Sequence, residues 1–78
     1  MILTIISPTG CLFEGEVQRV LLPGAKAPFV VLRGHSPLIS SLEAGKVCYT
    51  TTDGTEGAVE LSGGFVEVRE DKIVVCTE

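Results

Sequence analysis

The stretch VCYTTTDGTEGAVELSGGFVEVREDKIVVC, residues 47–76, decides the fold. Its side chains alternate, so that Val47, Tyr49 and Thr51 fall on one face of an extended chain and the residues between them fall on the other. Asp53-Gly54 follows, a pair typical of hairpin turns because both residues tolerate a positive φ. The stretch therefore predicts a β-hairpin and, after a Gly-Gly break, two further short strands.

The rest of the chain has the same character, because glycine and proline interrupt it about every 8 to 12 residues. No window repeats apolar residues at i, i+3, i+4 and i+7, the spacing of an amphipathic helix. The predicted strands cover residues 3–6, 12–13, 17–22, 29–32, 38–42, 47–51, 57–62, 65–68 and 73–76. We therefore predict an all-β domain over residues 1–78, a flattened β-sandwich or barrel of about nine to ten short strands with little or no helix.

Composition excludes several classes of protein. The 78 residues carry a net charge of −4, and the six basic residues are scattered, which argues against binding to nucleic acid. The apolar runs span only a few residues, so we expect neither a signal peptide nor direct insertion into a membrane. Three cysteines, an odd number at wide spacing, favour reduced thiols in a cytosolic protein over disulfides or a zinc site.

The sequence contains no recognisable set of catalytic residues. His35 is the only histidine, and its neighbour Ser36 lacks the surroundings of an activated nucleophile. Gly63-Gly64 has neither a phosphate-loop frame nor a following helix, so a bend or bulge between strands is the better interpretation. We predict no catalytic residue, no metal site and no cofactor. The irregular segment 23–37 is the strongest candidate for a functional surface, because binding residues lie disproportionately on loops.

Three local patterns, in order and at compatible spacing, carry a resemblance to a known family. They are Phe13-x-Gly15-x-Val17, then Pro23-Gly24 with Gly34-His35-x-Pro37-Leu38, then Ser62-Gly63-Gly64-Phe65-x-Glu67-Val68. Together they resemble the N-terminal domain of the epsilon subunit of F-type ATP synthase, over Leu3 to Thr77. The resemblance implies a β-sandwich of about ten strands, in agreement with the strand prediction.

The resemblance also implies a function. A subunit of this family is a non-catalytic part of the central stalk, or rotor, of a proton-transporting rotary ATP synthase. It docks on the gamma subunit and on the polar loops of the c-ring, and couples ion-driven rotation to ATP synthesis in the alpha/beta head. The implied location is peripheral, at the cytoplasmic face of the bacterial inner membrane.

Site residues follow from the resemblance, position by position. The loop from Pro23 to Phe29 matches the ring-facing loop of the family. The implied c-ring contacts are therefore Gly24, Ala25, Lys26, Ala27 and Pro28. The implied gamma contacts are Ser7, His35 and Ser40.

This sequence departs from the family pattern at several positions. The family often has glycine where this chain has Ala27 and Val30, and proline where it has Arg33, so we expect a stiffer and more positive loop region. The helical hairpin that usually follows the last strand is absent from these residues. We expect a naturally short subunit, without hairpin-mediated inhibition or ATP binding, rather than a fragment.

Two alternative hypotheses place the chain outside a rotary ATP synthase. One is a stand-alone β-sandwich that binds a protein or a small ligand, and the other is a small enzyme that uses His35. For the docking role, we expect an exposed apolar patch of several hundred Å². We also expect the isolated chain to self-associate at high concentration.

Overall fold

The computed structural model describes all 78 residues as eight β-strands joined by turns. The strands are β1 (Ile2–Ser7), β2 (Gly10–Leu22), β3 (Phe29–Leu32), β4 (Leu38–Leu42), β5 (Gly45–Thr51), β6 (Glu56–Leu61), β7 (Gly64–Arg69) and β8 (Lys72–Thr77). The all-β prediction is thus confirmed. None of the elements is a helix of the length and apolarity that a bilayer crossing requires.

The strands form two sheets that share β2. Sheet A has the order β4-β7-β8-β1 and ends on the first half of β2, while sheet B joins β3, the second half of β2, β5 and β6. All pairings are antiparallel except that of β1 with β8, which is parallel. A bridge between Gly24 and Leu42 joins the end of β2 to the end of β4, so the two sheets also meet at that corner.

The second strand accounts for the difference between the predicted strand count and the observed eight. The sequence suggested a break at Glu14-Gly15, because both residues are weak strand formers. In the structure they pair with Thr4 and Leu3 of β1, and this ladder holds residues 10–22 as one 13-residue strand. A bulge between Val17 and Arg19 then shifts the inward-facing positions by one residue.

The core lies between the two sheets and is entirely apolar. Leu3 and Ile5 of the central strand β1 are completely buried, and no polar or charged side chain is buried. The other buried side chains are Met1, Val17, Val20, Leu22, Val31, Leu42, Val47, Leu61, Val66, Val68, Ile73 and Val75. A core of small aliphatic residues leaves no buried acid, base or nucleophile, so any function must lie on the surface.

The predicted hairpin joins β5 to β6, but its turn differs from the predicted two-residue form. Gly54 has a φ of 91°, whereas Asp53 keeps a negative φ. The N–H of Gly54 donates to the carbonyl of Thr51 at 3.0 Å, and the N–H of Thr51 donates to the carbonyl of Thr55 at 2.8 Å. This is a three-residue turn in which only the glycine needs the left-handed region.

Asp53 anchors this turn with its carboxylate. The hydroxyl of Thr51 and the N–H of Thr55 both donate to its Oδ1, and these hydrogen bonds, that from Thr51 foremost, hold the pKa of Asp53 below its ordinary value. A carboxyl group whose pKa is lower in the folded state stabilises the fold above its unfolded pKa. That stabilisation is lost as the pH falls through the folded pKa.

We therefore expect Asp53→Ala to destabilise the chain at neutral pH and to have a much smaller effect in acid below the Asp53 pKa. Urea unfolding of both proteins at the two pH values measures the difference. The control is Glu56→Ala. This variant removes a carboxylate beside the same turn, and the structure gives that carboxylate no hydrogen bond. A penalty for Asp53→Ala that is the same at both pH values would contradict the prediction.

Candidate functional site

The outer face of sheet A carries an uncharged row of side chains that crosses four strands. The strand register aligns Ser41 of β4 with Phe65 of β7, Cys76 of β8 and Ile6 of β1. We call these four residues the apolar row. Phe65 is 50% exposed and Ile6 is 39% exposed, although both belong to strands of the sheet. Apolar side chains that stay exposed side by side on a regular sheet indicate a surface that a partner covers.

The neighbouring rows of the same face are increasingly charged. The next row aligns Ile39, Glu67, Val74 and Thr4, and the one after it contains Arg69 and Lys72 beside the exposed Ile2. Arg69 donates to Glu67 at 2.6 Å, an exposed ion pair of the kind that contributes little to stability. The face is thus graded from an apolar end to a charged end, which gives a docking partner a defined orientation.

The predicted ring-facing loop is held in place by the end of β4. The N–H of Ala25 donates to the carbonyl of Ser41 at 3.0 Å, and the N–H of Glu43 donates to the carbonyl of Pro23 at 2.8 Å. Ala25, Lys26, Ala27 and Pro28 are exposed, whereas Gly24 is buried against the ring of Phe29. The loop therefore presents a short exposed tip on a fixed base.

Gly24 explains why the base of the loop needs a glycine. A Cβ at this position would overlap the carbonyl oxygen of Ala27 and lie 2.8 Å from Cδ1 of Phe29. We expect Gly24→Ala to lower the free energy of unfolding by about 1–3 kcal/mol, because the crowding forces the loop to shift.

Urea denaturation measures that loss. Gly15→Ala is the control, since the atom nearest to its added Cβ is Cζ of Phe13 at 3.2 Å, the far end of a movable side chain. Equal losses for the two variants would show that the loop tolerates a side chain at Gly24.

The structure brings only some of the predicted site residues together. Ser40 and the loop line one open cleft of about 500 Å³, together with Ile39 and Ser41. Ser7 follows Ile6 on β1 and lies at the same end of sheet A as the loop, three strands away from β4. His35 precedes β4 and lies beyond the opposite end of the sheet. A single partner that contacts both Ser7 and His35 must therefore span the length of sheet A.

His35 is arranged for contact and not for base catalysis. Its Nδ1 lies 2.7 Å from the carbonyl oxygen of Ser36, and since a carbonyl only accepts, the ring nitrogen is the donor. The bond goes to the backbone and not to the hydroxyl of Ser36, so no nucleophile is activated. The three cysteines are free, with Cys11 exposed, and no three His, Cys, Asp or Glu side chains are grouped for a metal ion.

The apolar row was missed in the sequence, although a signal for it exists. In β1 both the inward residues, Leu3 and Ile5, and the outward residues, Ile2 and Ile6, are apolar. A strand that is apolar on both faces is typical of a strand covered on both sides. That pattern would have indicated a second covered face.

Known proteins resemble this chain over its whole length. The family model described as "ATP synthase, Delta/Epsilon chain, beta-sandwich domain" matches residues 1–78. The ATP synthase epsilon chain of Chlorobaculum tepidum is 40% identical over 97% of this chain and 86% of its own length. That of Campylobacter fetus is 38% identical over 97% of this chain but only 59% of its own length.

Solved structures share the fold at lower identity. A chain of the Euglena gracilis mitochondrial ATP synthase, solved as OSCP, F1 and c-ring, superposes with a TM-score of 0.91 at 23% identity. The match covers 99% of this chain and 49% of that chain. A chain of the Tetrahymena thermophila mitochondrial ATP synthase central stalk and c-ring superposes with a TM-score of 0.78 at 18% identity, over 99% of this chain and 62% of that chain.

Proposed function

This chain belongs to the family of ATP synthase delta/epsilon β-sandwich domains, and on that premise we propose that it is a non-catalytic rotor part that docks on gamma and on the c-ring. In this role residues 1–78 act as one domain of the central stalk. The domain passes ring rotation, driven by proton flow, to gamma and thereby to the alpha/beta head. Its place is peripheral, at the cytoplasmic face of the membrane.

The apolar row is the observation that carries the gamma contact. Phe65 and Ile6 offer exposed apolar area near one end of sheet A, where a second protein can exclude water from it. Ser7 and Ser40 alternate with Ile6 and Ser41 along β1 and β4, so they take the opposite face of sheet A, and His35 lies beyond the charged end. Contacts at these three positions therefore need a partner that also reaches round the edges of sheet A.

The exposed loop tip supports the ring contact. Its alanines and Pro28 leave little side-chain freedom to lose on binding, and its backbone is tied to β4 by hydrogen bonds. A rigid tip suits a contact that bears load while the ring turns. Lys26 is the single charge in the tip.

Co-purification with the host's gamma subunit tests the proposal. We expect a stable 1:1 complex in size-exclusion chromatography with light scattering. Gamma that is folded by circular dichroism but forms no complex with this chain would overturn the proposal. The loop is tested separately, because a variant with residues 25–28 replaced by Gly-Ser-Gly-Ser should still bind gamma but no longer bind the isolated c-ring.

A further inference from the structure

One corner of the molecule collects basic side chains around an exposed leucine. Leu32, at the end of β3, is 53% exposed and pairs across the ladder with Arg19 of β2. Arg33 follows Leu32 in the chain, and the N–H of His35 donates to the carbonyl of Leu32 at 3.1 Å. We call Arg19, Leu32, Arg33 and His35 the basic corner. It joins an apolar anchor to two guanidinium groups, one from β2 and one from the turn after β3, and to an imidazole.

Neither guanidinium is neutralised within the chain. The two ion pairs of the molecule join the N-terminus to Asp71 and Arg69 to Glu67, so Arg19 and Arg33 lack a carboxylate within 4.0 Å. Both residues are exposed. The chain has ten acidic residues and a net charge of −4, so it contains enough carboxylates to pair with both arginines. The corner therefore keeps a local charge opposite in sign to that of the molecule.

We infer that the basic corner recognises a carboxylate-bearing segment of the protein that docks at His35, which in the proposed function is gamma. Guanidinium groups bind carboxylates in a bidentate geometry, and the exposed Leu32, which pairs with Arg19, supplies apolar contact to the same segment. His35 belongs to the corner and to the proposed gamma contact, so the two surfaces meet at this residue.

The charge distribution gives the corner a specific task. An acidic segment is attracted to the corner and repelled by most of the remaining surface, which is net negative. The partner can then approach in only one orientation, with its apolar surface over the apolar row and its acidic segment reaching round the His35 end to Arg19 on the outer face of sheet B. The inference rests on the proposed function and adds the chemistry of the partner.

Charge reversal tests the inference. We expect Arg19→Glu and Arg33→Glu each to weaken binding to gamma about tenfold or more in isothermal titration calorimetry, and the double variant to weaken it further. The affinity of the unmodified chain should fall as salt is raised, because exposed charges are screened. The control is Lys46→Glu, the same charge change on β5 of sheet B, which should alter affinity less than about twofold.

The possible outcomes separate the inference from its premise. If gamma does not bind the unmodified chain, both the proposed function and the inference fail. If gamma binds and loses affinity equally in all three single variants, the effect is one of net charge, and the corner is not a recognition site. If gamma binds and neither arginine variant weakens binding, the docking role stands and the inference is overturned.

Discussion

Replacing Gly64 by alanine is expected to lower the free energy of unfolding by about 3–5 kcal/mol. Gly64 begins β7 with a φ of 144°, a region that only glycine occupies readily. An added Cβ would also overlap the backbone carbonyl of Cys76 and lie 3.0 Å from Cα of Thr77. Backbone atoms in a ladder cannot turn aside as a side chain does, so β7 and β8 would have to separate.

This loss approaches the whole stability of a small domain, which for 78 residues is about 4–12 kcal/mol. The matched control is Gly10→Ala, since Gly10 has the same φ of 144° but no atom within 4 Å of an added Cβ. Urea denaturation followed by circular dichroism compares the two variants. Equal losses would show that backbone conformation alone, and not the contact with β8, fixes glycine at position 64.

Replacing Phe65 by aspartate is expected to weaken binding to gamma by about 2–4 kcal/mol, which is roughly 30-fold to 1,000-fold. Phe65 is the largest exposed side chain of the apolar row, and its size makes it the proposed anchor of the interface. The substitution both removes apolar area and buries an unpaired charge on docking. Titration calorimetry with gamma measures the effect.

The fold should survive this change, because the side chain of Phe65 points to solvent in the isolated chain. We expect the free energy of unfolding to change by no more than about 1 kcal/mol. Thr52→Asp is the control, an exposed position in the turn between β5 and β6 that receives the same charge. An affinity for gamma unchanged by Phe65→Asp would remove the apolar row from the interface.

Local elements of this fold could be predicted from the sequence, because local chemistry determines them. Alternation identified β5 and β6, Asp53-Gly54 identified their hairpin, and Gly63-Gly64 identified a break before β7. The reason for glycine at 64 could not be predicted, since it depends on the carbonyl of Cys76, 12 residues away. The break predicted at Glu14-Gly15 was wrong for a related reason, because the long ladder with β1 outweighs the weak strand propensity of these two residues.

The candidate site was predictable only in its loop. Pro23 and Gly24 mark the loop by composition, but the contact of Ser40 with that loop depends on the bridge from Gly24 to Leu42. The apolar row depends even more on topology. Ile6, Phe65 and Cys76 become neighbours because β1 pairs in parallel with β8, a pairing between the first and last strands that no local pattern encodes.

The continuity of β2 has a mechanical consequence. This strand has 13 residues and a contour length of about 40 Å, whereas the longest extent of the molecule is 28 Å, so β2 bends where it passes from sheet A to sheet B. A pull on the loop while sheet A is held passes through this bend, and the hydrogen bonds of β2 to β1, β3 and β5 hold the bend in shape. Two strands joined by a flexible linker would instead bend like a hinge. The unbroken strand therefore couples the two sheets through its own backbone.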